Sequence, residues 1–331
     1  MKAIIPVAGV GTRLRPHTYT QPKPLIPVAG KTIISFIIDQ LVEVGINDFV
    51  FVIGYLGEKI KLFVETEYPN INMEFVHQNS REGSAHAIWV ARDTIKDADE
   101  IFIFFGDTIV DVDLNKFLAE PTSCVGIKKV DDPREFGVVQ IGADDMIKKV
   151  VEKPNIPKSN MAMVGLYKIK EVATFIEVIG ENIKEKRQTH GEYQLTDGLM
   201  GMIERGVNIS AVGVNNWFDC GKKEVLLETN AMLLDKENYA SSNLPPFDNT
   251  IIIHPVSIGS NCNITNSIIG PHVTIGNNVR IDYSIIKESI IGSYSAIEEV
   301  VLQNSLVGSD AAIKGLSQSL NIGDNTEIDF S

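Results

Sequence analysis

Residues 8–24 read AGVGTRLRPHTYTQPKP and follow directly on the apolar run AIIPV at residues 3–7. The bulk and branching of that run, and the glycine that ends it, predict a buried strand. Glycines let backbone N–H groups approach an anion closely, while Arg13 and Lys23 bring positive charge to the same segment. A strand that leads into a glycine loop with cations beside it is typical of phosphate-binding sites.

The spacing of the loop excludes the two most familiar phosphate-binding motifs. A P-loop has four residues between its glycines and then Lys-Ser or Lys-Thr, whereas one residue separates Gly9 from Gly11 and Thr12 follows. A dinucleotide-binding fingerprint has Gly or Ala where this chain has Leu14, and it has an acidic residue about 20 positions further on, which is missing here. The loop is therefore another kind of phosphate site, or a tight turn with surface cations.

The prolines around Lys23 favour the phosphate site over the plain turn. Pro22 and Pro24 restrict the backbone and hold the lysine on a stiff segment. The run as a whole resembles the signature of the sugar-1-phosphate nucleotidyltransferases, the pyrophosphorylases that make nucleotide sugars. An additional loop glycine of some family members is missing here, and the residues that match the pattern are Gly9, Gly11, Thr12, Arg13, Pro16, Thr18, Pro22, Lys23 and Pro24.

Length and composition limit the class of protein. A chain of 331 residues, 44% of them hydrophobic, predicts two globular domains. Its net charge of −13 argues against nucleic acid or an anionic membrane as a partner, so the cationic loop indicates a local anion site. Three cysteines without a C-x-x-C pair argue against zinc and a disulfide framework. Without a signal peptide or an apolar run of membrane-spanning length, we expect a cytoplasmic protein.

Strands and helices alternate over the first 113 residues. This alternation predicts a Rossmann-like α/β fold, with a mostly parallel mixed sheet and helices on both faces. Residues 123–170 are strand-like and rich in turns, and we expect them to extend the same sheet. The predicted helices cover residues 32–44, 58–67, 84–95, 172–184, 194–205 and 222–234, and the first predicted strands cover 3–7, 49–53, 73–76 and 101–105.

A change in composition marks the C-terminal region. Residues 238–250 read NYASSNLPPFDNT, which is typical of a linker. Three series of aliphatic residues follow, each advancing by 16 or 17 positions. Three inward aliphatics per coil, with a glycine at one corner, predict a triangular parallel β-helix, and the pattern resembles the left-handed β-helix of hexapeptide-repeat proteins. The series are Ile253, Ile269, Ile286 and Leu302; Ile258, Ile275, Ile291 and Val307; and Ile264, Ile281, Ile297 and Ile313.

Three regions follow from these patterns. We predict a nucleotidyltransferase domain over residues 1–237, a linker over 238–249 and a left-handed β-helix over 250–331. About four coils account for residues 250–314. Residues 320–328 contain one more Ile-Gly pair, and we expect them to add a capping strand.

Two aspartates are candidates for a metal site. Asp107 follows a buried apolar run and so lies at the carboxyl end of a predicted strand, where ligands bind in open α/β sheets. Asp219 precedes a predicted helix, and for both residues a turn or a helix cap is the simpler structural role. The resemblance implies that Asp107 and Asp219 hold Mg²⁺, which prefers few protein carboxylates together with substrate phosphates.

The resemblance also implies how the nucleotide is bound. Arg13 would stabilise the leaving pyrophosphate, and Lys23 would neutralise the α-phosphoryl group. Gln78 and the turn at Gly83 are expected to select the base, because a glutamine amide donates and accepts as the edge of uracil or thymine requires. A solvent-facing glutamine is the alternative. The loop residues implied in nucleotide binding are Ala8, Gly9, Gly11, Thr12 and Arg13.

A second group of residues is implied in binding the sugar phosphate. Glu152-Lys153-Pro154 resembles an element in which Glu binds sugar hydroxyls and Lys binds the phosphate, although Glu-Lys-Pro alone is typical of a solvated turn. Gly137, and Gly165 with Tyr167, match further sugar-site elements, and glycines that serve only packing are the alternative. Residues 190–197 also match the family pattern, and we expect them to cap or anchor a helix.

These assignments predict an enzyme that joins dTTP or UTP to a hexose-1-phosphate, with glucose-1-phosphate favoured, and releases pyrophosphate by direct attack. A bifunctional enzyme whose β-helix also transfers an acyl group, through His254 or His272, is one alternative. A mannose-1-phosphate guanylyltransferase and a non-catalytic regulatory sensor of sugar nucleotides are two others. The flat, repetitive surface of a β-helix predicts a homo-oligomer.

Overall fold

The computed structural model describes residues 1–142, 144–236 and 239–315. The chain divides into two compact units, Met1–Thr229 and Asn230–Ser331, each with its own hydrophobic core. This boundary lies inside the helix Lys223–Leu234, whereas the sequence predicts that the first domain ends at residue 237.

The helices of the first unit begin and end close to the predicted positions, with two exceptions: no helix was predicted over Leu114–Leu118, and one predicted helix is divided. The predicted helix over residues 84–95 is two helices, Ser84–Val90 and Arg92–Ile95. The Arg92 side chain donates to the Trp89 carbonyl at 3.0 Å and lies over the Trp89 ring, so this carbonyl is satisfied outside the helical ladder. The other helices are Ile33–Glu43, Gly57–Glu67, Leu114–Leu118, Val172–Lys184, Leu195–Glu204 and Lys223–Leu234.

A nine-stranded mixed sheet forms the centre of the first unit. Lys2–Val7 pairs in parallel with Asp48–Ile53 on one side and with Ile101–Phe104 on the other, and Ile4 in its middle is fully buried. Met161–Ile169 pairs antiparallel with Ile101–Phe104, so the segments after residue 123 extend the same sheet, as predicted. In spatial order the strands are Ile147–Glu152, Gly137–Ile141, Met161–Ile169, Ile101–Phe104, Lys2–Val7, Asp48–Ile53 and Asn72–His77, and Ser123–Lys129 joins Met161–Ile169 to Ile209–Gly213.

The predicted functional segments lie together at the carboxyl ends of the central parallel strands. The strands Lys2–Val7 and Ile101–Phe104 are parallel, so the phosphate loop after the first and Asp107 after the second begin side by side. A separate antiparallel ribbon pairs Thr108 with Asp219, which brings Asp219 next to Asp107. The topology therefore brings the loop and both predicted metal ligands together.

The second unit is a left-handed parallel β-helix with three four-stranded sheets as its faces. Strand pairing confirms the second and third aliphatic series, as in the buried ladder of Ile264, Ile281 and Ile297. The prediction for Ile253 is wrong, because Ile252 pairs with Ile269 while Ile253 is 43% exposed. A repeat of 16 or 17 residues allows either position, so the spacing alone did not distinguish them. The capping strand predicted for residues 320–328 lies outside the described residues.

The described ranges contain no helix that is both long and apolar enough to cross a membrane. Cys124, Cys220 and Cys262 are free thiols. Burial raises the pKa of both Cys124 and Cys220 to about 12, so these two thiols are protonated at neutral pH.

Candidate active site

The glycine loop after the first strand is held by other residues of the same sequence signature. Gly11 has a φ of +66°, a conformation that favours glycine. The buried Thr18 donates from Oγ1 to the Gly11 carbonyl at 2.9 Å. A side chain at Gly11 would come within 3.2 Å of Lys23 Cβ and 3.1 Å of Thr18 Cγ2. The spacing of Gly11, Thr18 and Lys23 therefore reflects their mutual packing.

Gly106 places Asp107 against the loop. Its N–H donates to the Pro6 carbonyl at 3.3 Å, and a Cβ at this position would overlap Val7 Cγ1. Only glycine therefore lets the end of strand Ile101–Phe104 approach the first strand this closely.

A cluster of four charged side chains lies where these segments meet. Lys23 Nζ donates to Asp107 Oδ2 at 2.7 Å and to Asp219 Oδ1 at 3.4 Å, and only 7% of the Lys23 side chain is exposed. Arg13 Nη2 donates to Asp219 Oδ2 at 3.3 Å, and half of the Arg13 side chain is exposed. The buried lysine and the more accessible arginine thus contact the same carboxylate from two sides.

Burial and charge act in opposite directions on this cluster. Burial lowers the pKa of Lys23, but the charges of Asp107 and Asp219 outweigh it, so the pKa of Lys23 is raised overall. Burial would raise the pKa of Asp107, but the Lys23 ammonium outweighs it and holds that pKa below its ordinary value. Lys23 is therefore cationic and Asp107 anionic at neutral pH.

Glu135 extends the cluster, and the sequence reasoning missed it. Its Oε2 accepts a hydrogen bond from Lys222 Nζ at 3.0 Å and lies 4.0 Å from Arg13 Nη1. Glu135 directly precedes the Phe136-Gly137 pair that the resemblance singled out. Its charge was no signal by itself, because 22% of the residues in this chain are charged.

A first cavity of about 340 Å³ opens beside the glycine loop. Gly9, Gly11, Thr12, Arg13 and Lys23 line it on the loop side, and Asp107 and Gly221 are also part of its wall. Every predicted nucleotide-binding residue of the loop except Ala8 thus lines one cavity. The cationic side chains and the loop backbone in its wall suit a polyanion.

Gln78 and Gly83 are not among the described residues that line this cavity. Gln78 is 6% exposed and its Nε2 donates to the Gly83 carbonyl at 3.1 Å, with His86 Nδ1 also 3.1 Å away. Gly83 has a φ of +114°, and a Cβ there would overlap the backbone of Tyr193. The solvent-facing alternative for Gln78 is therefore wrong, because the amide is buried and contacts the protein.

A second cavity, of about 200 Å³, contains all five predicted sugar-site residues in its wall: Gly137, Glu152, Lys153, Gly165 and Tyr167. Gly137 has no room for a side chain, because a Cβ there would lie 2.6 Å from Met163 Cε and 2.8 Å from Thr196 Cγ2. Gly165 has a φ of +81° and abuts the Phe105 ring. These two glycines keep the cavity open and shape its wall.

Glu152 and Lys153 form a charged pair in this wall. Lys153 Nζ lies 3.8 Å from Glu152 Oε1, and the lysine side chain is half exposed whereas that of Glu152 is 11% exposed. Burial raises the pKa of Glu152, and the charge of Lys153 opposes that shift only in part. The cavity therefore pairs a partly exposed cation with a buried hydrogen-bond acceptor.

One further residue of the second cavity has an unsatisfied polar atom. Trp217 Nε1 is buried and has no hydrogen bond to any of the described residues, whereas the buried Thr196 Oγ1 faces the Glu152 carboxyl group. A buried N–H without a partner is costly unless a ligand or water satisfies it, so Trp217 is a candidate binding group. Sequence reasoning gave residues 190–197 a structural role and did not single out Trp217. The signal for Trp217 was its position two residues before Asp219 in the strand Asn216–Asp219, on the same face.

The two cavities share part of their walls. Arg13, Ser84, Phe105 and Asp107 line both. Ser84 Oγ accepts a hydrogen bond from the Leu195 N–H at 2.9 Å, which connects the segment after Gly83 to the floor of the second cavity. A polyanion in the first cavity and a second ligand in the other would therefore meet beside Asp107 and Arg13.

A family model described as nucleotidyl transferase matches residues 2–236. This chain belongs to the nucleotidyl transferase family. Its relatives are sugar-1-phosphate nucleotidyltransferases, so this nucleotidyl transferase is an enzyme of that type and the resemblance noted from the sequence is confirmed.

Individual relatives of this nucleotidyl transferase differ in length. It is 33% identical over 324 residues to the bifunctional protein GlmU of Methanococcus vannielii, covering 95% of this chain and 73% of that protein. It is 37% identical over 240 residues to GlmU of Methanocaldococcus jannaschii, covering 72% of this chain but only 55% of the relative. It is 27% identical over 341 residues to a glucose-1-phosphate thymidylyltransferase of Streptomyces antibioticus, covering 99% and 93% of the two chains.

Among solved structures, a UDP-glucose pyrophosphorylase complexed with UDP-glucose superposes with a TM-score of 0.64 at 24% identity. The match covers 71% of this chain and 99% of that one. This likeness confirms the predicted fold of the nucleotidyl transferase region.

Proposed function

We propose that this enzyme transfers a nucleotidyl group from dTTP or UTP to a hexose-1-phosphate, with glucose-1-phosphate as the favoured acceptor. The products are a nucleotide sugar and pyrophosphate. One observation carries the proposal: the two cavities share a wall that contains Arg13 and Asp107. Similarity to a glucose-1-phosphate thymidylyltransferase supports this choice of substrates.

In the proposed reaction an oxygen of the sugar phosphate attacks the α-phosphorus. A bond forms between these two atoms, and the bond from the α-phosphorus to the oxygen that bridges it to the β-phosphate breaks. Arg13 binds the leaving pyrophosphate, Lys23 neutralises the α-phosphoryl group and Lys153 holds the attacking phosphate. Catalysis then depends on orientation and charge neutralisation, and it requires no side-chain nucleophile.

Asp107 and Asp219 are proposed to hold Mg²⁺. Their donor chemistry fits, because both carboxylates present oxygen atoms within 3.4 Å of one cationic atom, Lys23 Nζ. No group of three or more His, Cys, Asp or Glu side chains suited to a metal occurs in the described residues. Two carboxylates are enough for Mg²⁺, which takes its other ligands from water and phosphates. When bound, Mg²⁺ supplies neutralisation of the phosphate charge.

Gln78 and Gly83 are proposed to select the base. The contacts of Gln78 Nε2 with Gly83 and His86 hold the amide in one orientation, and a fixed amide discriminates between hydrogen-bonding edges better than a mobile one. In the second cavity, Glu152, Thr196 and Trp217 are proposed to bind sugar hydroxyls. The unsatisfied buried N–H of Trp217 and the contact of Thr196 with the Glu152 carboxyl group support this part of the proposal.

The test is a substrate panel with Mg²⁺, in which pyrophosphate release is measured for dTTP, UTP, GTP, CTP and ATP. Each is combined with glucose-, galactose-, mannose- and N-acetylglucosamine-1-phosphate. We expect the highest kcat/KM for a pyrimidine triphosphate with glucose-1-phosphate. Highest activity with GTP and mannose-1-phosphate would instead support a guanylyltransferase. Tight binding of nucleotide sugars without any turnover would support a regulatory sensor.

A bifunctional enzyme is the second candidate function. Its support is that the match to the M. vannielii protein named bifunctional extends over 324 residues and so reaches the β-helix. In the β-helix unit, His272 Nε2 lies 3.0 Å from Asp235 Oδ1, a pairing that can orient an imidazole for proton transfer. Release of CoA from acetyl-CoA that depends on a sugar nucleotide, with the acetyl group recovered on that acceptor, and that His272→Ala abolishes, would establish acyl transfer.

We further propose that residues 1–237 form the catalytic domain, 238–249 the linker and 250–331 the β-helix of a cytoplasmic homo-oligomer. The free thiols Cys124, Cys220 and Cys262 support a reducing compartment. Size measurement of the purified protein tests the proposed homo-oligomer. Localisation of a tagged chain in its cell tests the proposed cytoplasmic location.

A further inference from the structure

The side-chain amide of Gln78 is held between two acceptors. Its Nε2 lies 3.1 Å from the Gly83 carbonyl oxygen and 3.1 Å from His86 Nδ1, and the glutamine is 6% exposed. An amide nitrogen carries two hydrogens, so these two contacts use both of its N–H groups. The amide oxygen Oε1 is then the only polar atom of this side chain that is left for a ligand.

The Gly83 carbonyl fixes the orientation of the amide. This carbonyl also accepts a hydrogen bond from the Ala87 N–H at 3.2 Å, at the start of the helix Ser84–Val90. The same end of the helix is anchored, since the Ala85 N–H donates to the Tyr193 carbonyl at 2.9 Å. Turning the amide over would bring Oε1 against this fixed carbonyl oxygen, so that two acceptors would face each other without a hydrogen between them.

The orientation of the amide in turn determines the state of His86. Because an N–H of Gln78 points at Nδ1, this ring nitrogen is the acceptor, and the proton of the neutral imidazole lies on Nε2. An imidazolium would instead place a second N–H against the N–H of Gln78. His86 is half-buried on the first turn of the helix Ser84–Val90, so the anchored helix also sets the position of its ring.

We propose that His86 is a positioning residue that leaves Gln78 able only to accept, so that the enzyme selects a base with a proton on the contacted ring nitrogen. This inference rests on the proposed role of Gln78 in selecting the base. Uracil and thymine carry a proton on N3, which Oε1 can accept. Cytosine has a lone pair at N3 that would face Oε1 directly, and an unmade hydrogen bond is costly in a buried site.

Hydrogen bonding has to make this distinction, because shape does not. Uracil and cytosine have the same ring and differ only in the group on C4 and in the proton on N3. A glutamine that turns freely can offer either its donor or its acceptor, and so can bond either base. Contacts with both Gly83 and His86 remove that freedom.

The ratio of kcat/KM for dTTP or UTP to that for CTP, each with glucose-1-phosphate, tests the proposal. His86→Leu removes one acceptor and frees the amide, so the ratio should fall at least about tenfold. His86→Asn can present Oδ1 near the place of Nδ1 and should keep a ratio close to that of the wild type. His77→Leu is the matched control and should leave the ratio unchanged, because His77 directly precedes Gln78 but is exposed and lies beside Glu58.

A double variant shows whether His86 acts through Gln78. In Gln78→Ala protein the amide is absent, so adding His86→Leu should leave the ratio where Gln78→Ala put it. A further change in the ratio would overturn the positioning role. Circular dichroism of each variant shows that the comparison is made between folded proteins.

One measurement requires no turnover. Nitrogen NMR of protein with isotopically labelled histidine, at about pH 8, should show His86 with a bare Nδ1 and a proton on Nε2. The signals that disappear in His86→Asn identify the residue. A proton on Nδ1 would overturn the proposal even if His86→Leu failed to fold.

The kinetic outcomes separate this inference from the proposed function. If the wild type prefers dTTP or UTP to CTP and folded His86→Leu keeps that preference, the role of His86 is overturned and the proposed reaction stands. If the wild type has no such preference, both the role of His86 and the proposed choice of base are overturned.

Discussion

At the scale of single residues, Lys23 is the centre of the proposed site. Its ammonium contacts both Asp107 and Asp219, and the lysine is almost completely buried. The charges of the two carboxylates raise the pKa of Lys23, so its ammonium group stays charged at neutral pH. Each charge in this cluster is therefore balanced by another within a few ångströms, and removing one leaves its partners uncompensated.

Replacing Asp107 tests the proposed metal site. We expect Asp107→Asn to lower kcat about 10²- to 10³-fold, because it removes a charge that acts on the transferring phosphoryl group. Mn²⁺ binding measured by electron paramagnetic resonance, in the presence of nucleotide, should weaken in parallel. Asp132→Asn is the matched control, since Asp132 is exposed and its carboxylate pairs with the neighbouring Arg134. Normal turnover and metal binding in Asp107→Asn would contradict the assignment.

Metal removal gives a second test of the same site. A chelator should abolish pyrophosphate release, and added Mg²⁺ should restore it. The described residues contain no group of three or more metal-binding side chains, so Asp107 and Asp219 should bind the ion reversibly. The measurement is a titration of activity against free Mg²⁺. Full activity after exhaustive chelation would contradict the proposed metal site and would show that Arg13 and Lys23 neutralise the phosphate charge without a metal ion.

Glu152 links stability to pH. Burial raises its pKa, so between the ordinary glutamate value and the raised value the folded protein binds a proton that the unfolded chain does not. Stability therefore falls as the pH rises through that range, and the ionised carboxylate destabilises the protein at neutral pH.

We therefore expect Glu152→Gln to raise Tm at neutral pH, with the difference from wild type shrinking towards about pH 4. The same change should raise KM for the sugar phosphate roughly 10- to 100-fold, because a charged acceptor is lost. Glu67→Gln, at an exposed helix end, is the control and should change neither quantity. A lower Tm at neutral pH would show that the ionised carboxylate is stabilised in the fold.

At the scale of elements, close backbone contacts set the shape of both cavities. Residues around Gly83 run along Tyr193, with the Ala85 N–H donating to the Tyr193 carbonyl at 2.9 Å and the Tyr193 N–H donating to the Glu82 carbonyl at 2.7 Å. Ser84, which lines both cavities, is held by this contact. A shift of the segment would therefore change both binding sites together.

Gly83→Ala tests that coupling. The new Cβ would overlap the Tyr193 backbone at a φ of +114°, so we expect at least about 2 kcal/mol of destabilisation and higher KM for both substrates. Gly45→Ala has a similar strain, with a φ of +85°, but its Cβ would meet nothing within 4 Å. Denaturant unfolding and steady-state kinetics of the two variants distinguish two effects. Both variants strain the backbone, but only Gly83→Ala should displace the segment around residue 83 from Tyr193. Equal kinetics in both variants would contradict the coupling.

In the β-helix, the corrected register predicts which isoleucines stabilise the coils. Ile281 is fully buried, and Ile281→Ala should cost about 2–5 kcal/mol in the free energy of unfolding. Ile253→Ala removes the same atoms from a side chain that is 43% exposed and should cost much less. Similar losses in the two variants, measured by circular dichroism in denaturant, would argue against the register.

At the scale of the whole molecule, the unfolding of the first unit can be monitored separately from that of the whole chain. The chain has two tryptophans, Trp89 and Trp217, and both belong to the unit Met1–Thr229. Tryptophan fluorescence therefore reports the unit that contains both cavities. Far-ultraviolet circular dichroism reports both units together.

Substrate should stabilise the unit that binds it. With Mg²⁺ and dTTP or UTP at about 100 times Kd, the unfolding followed by tryptophan fluorescence should gain about 2.7 kcal/mol. The gain in stability should be much smaller with GTP. A chelator should reduce the gain that dTTP or UTP gives. Equal stabilisation by every triphosphate would contradict the proposed role of Gln78.

Most of the fold follows from patterns that are local in the chain. Alternating strands and helices predicted the sheet, and the 16- or 17-residue repeat predicted the β-helix, because each depends on residues that are near one another in sequence. The failures have a tertiary cause. The break between the helices Ser84–Val90 and Arg92–Ile95 coincides with the contact of the Arg92 side chain with Trp89, and the exposure of Ile253 depends on strand register.

The same division applies to the site. By itself the sequence determined the glycine loop, because Gly11, Thr18 and Lys23 lie within 13 positions of one another and pack together. Only the tertiary structure decided which charges meet, because Lys23 reaches Asp107 and Asp219 across 84 and 196 positions. It also decided that Glu135, Thr196 and Trp217 line one cavity together, since these three residues are distant from one another in the sequence. Contacts at that separation are set by how the sheet folds, and a linear pattern does not record them.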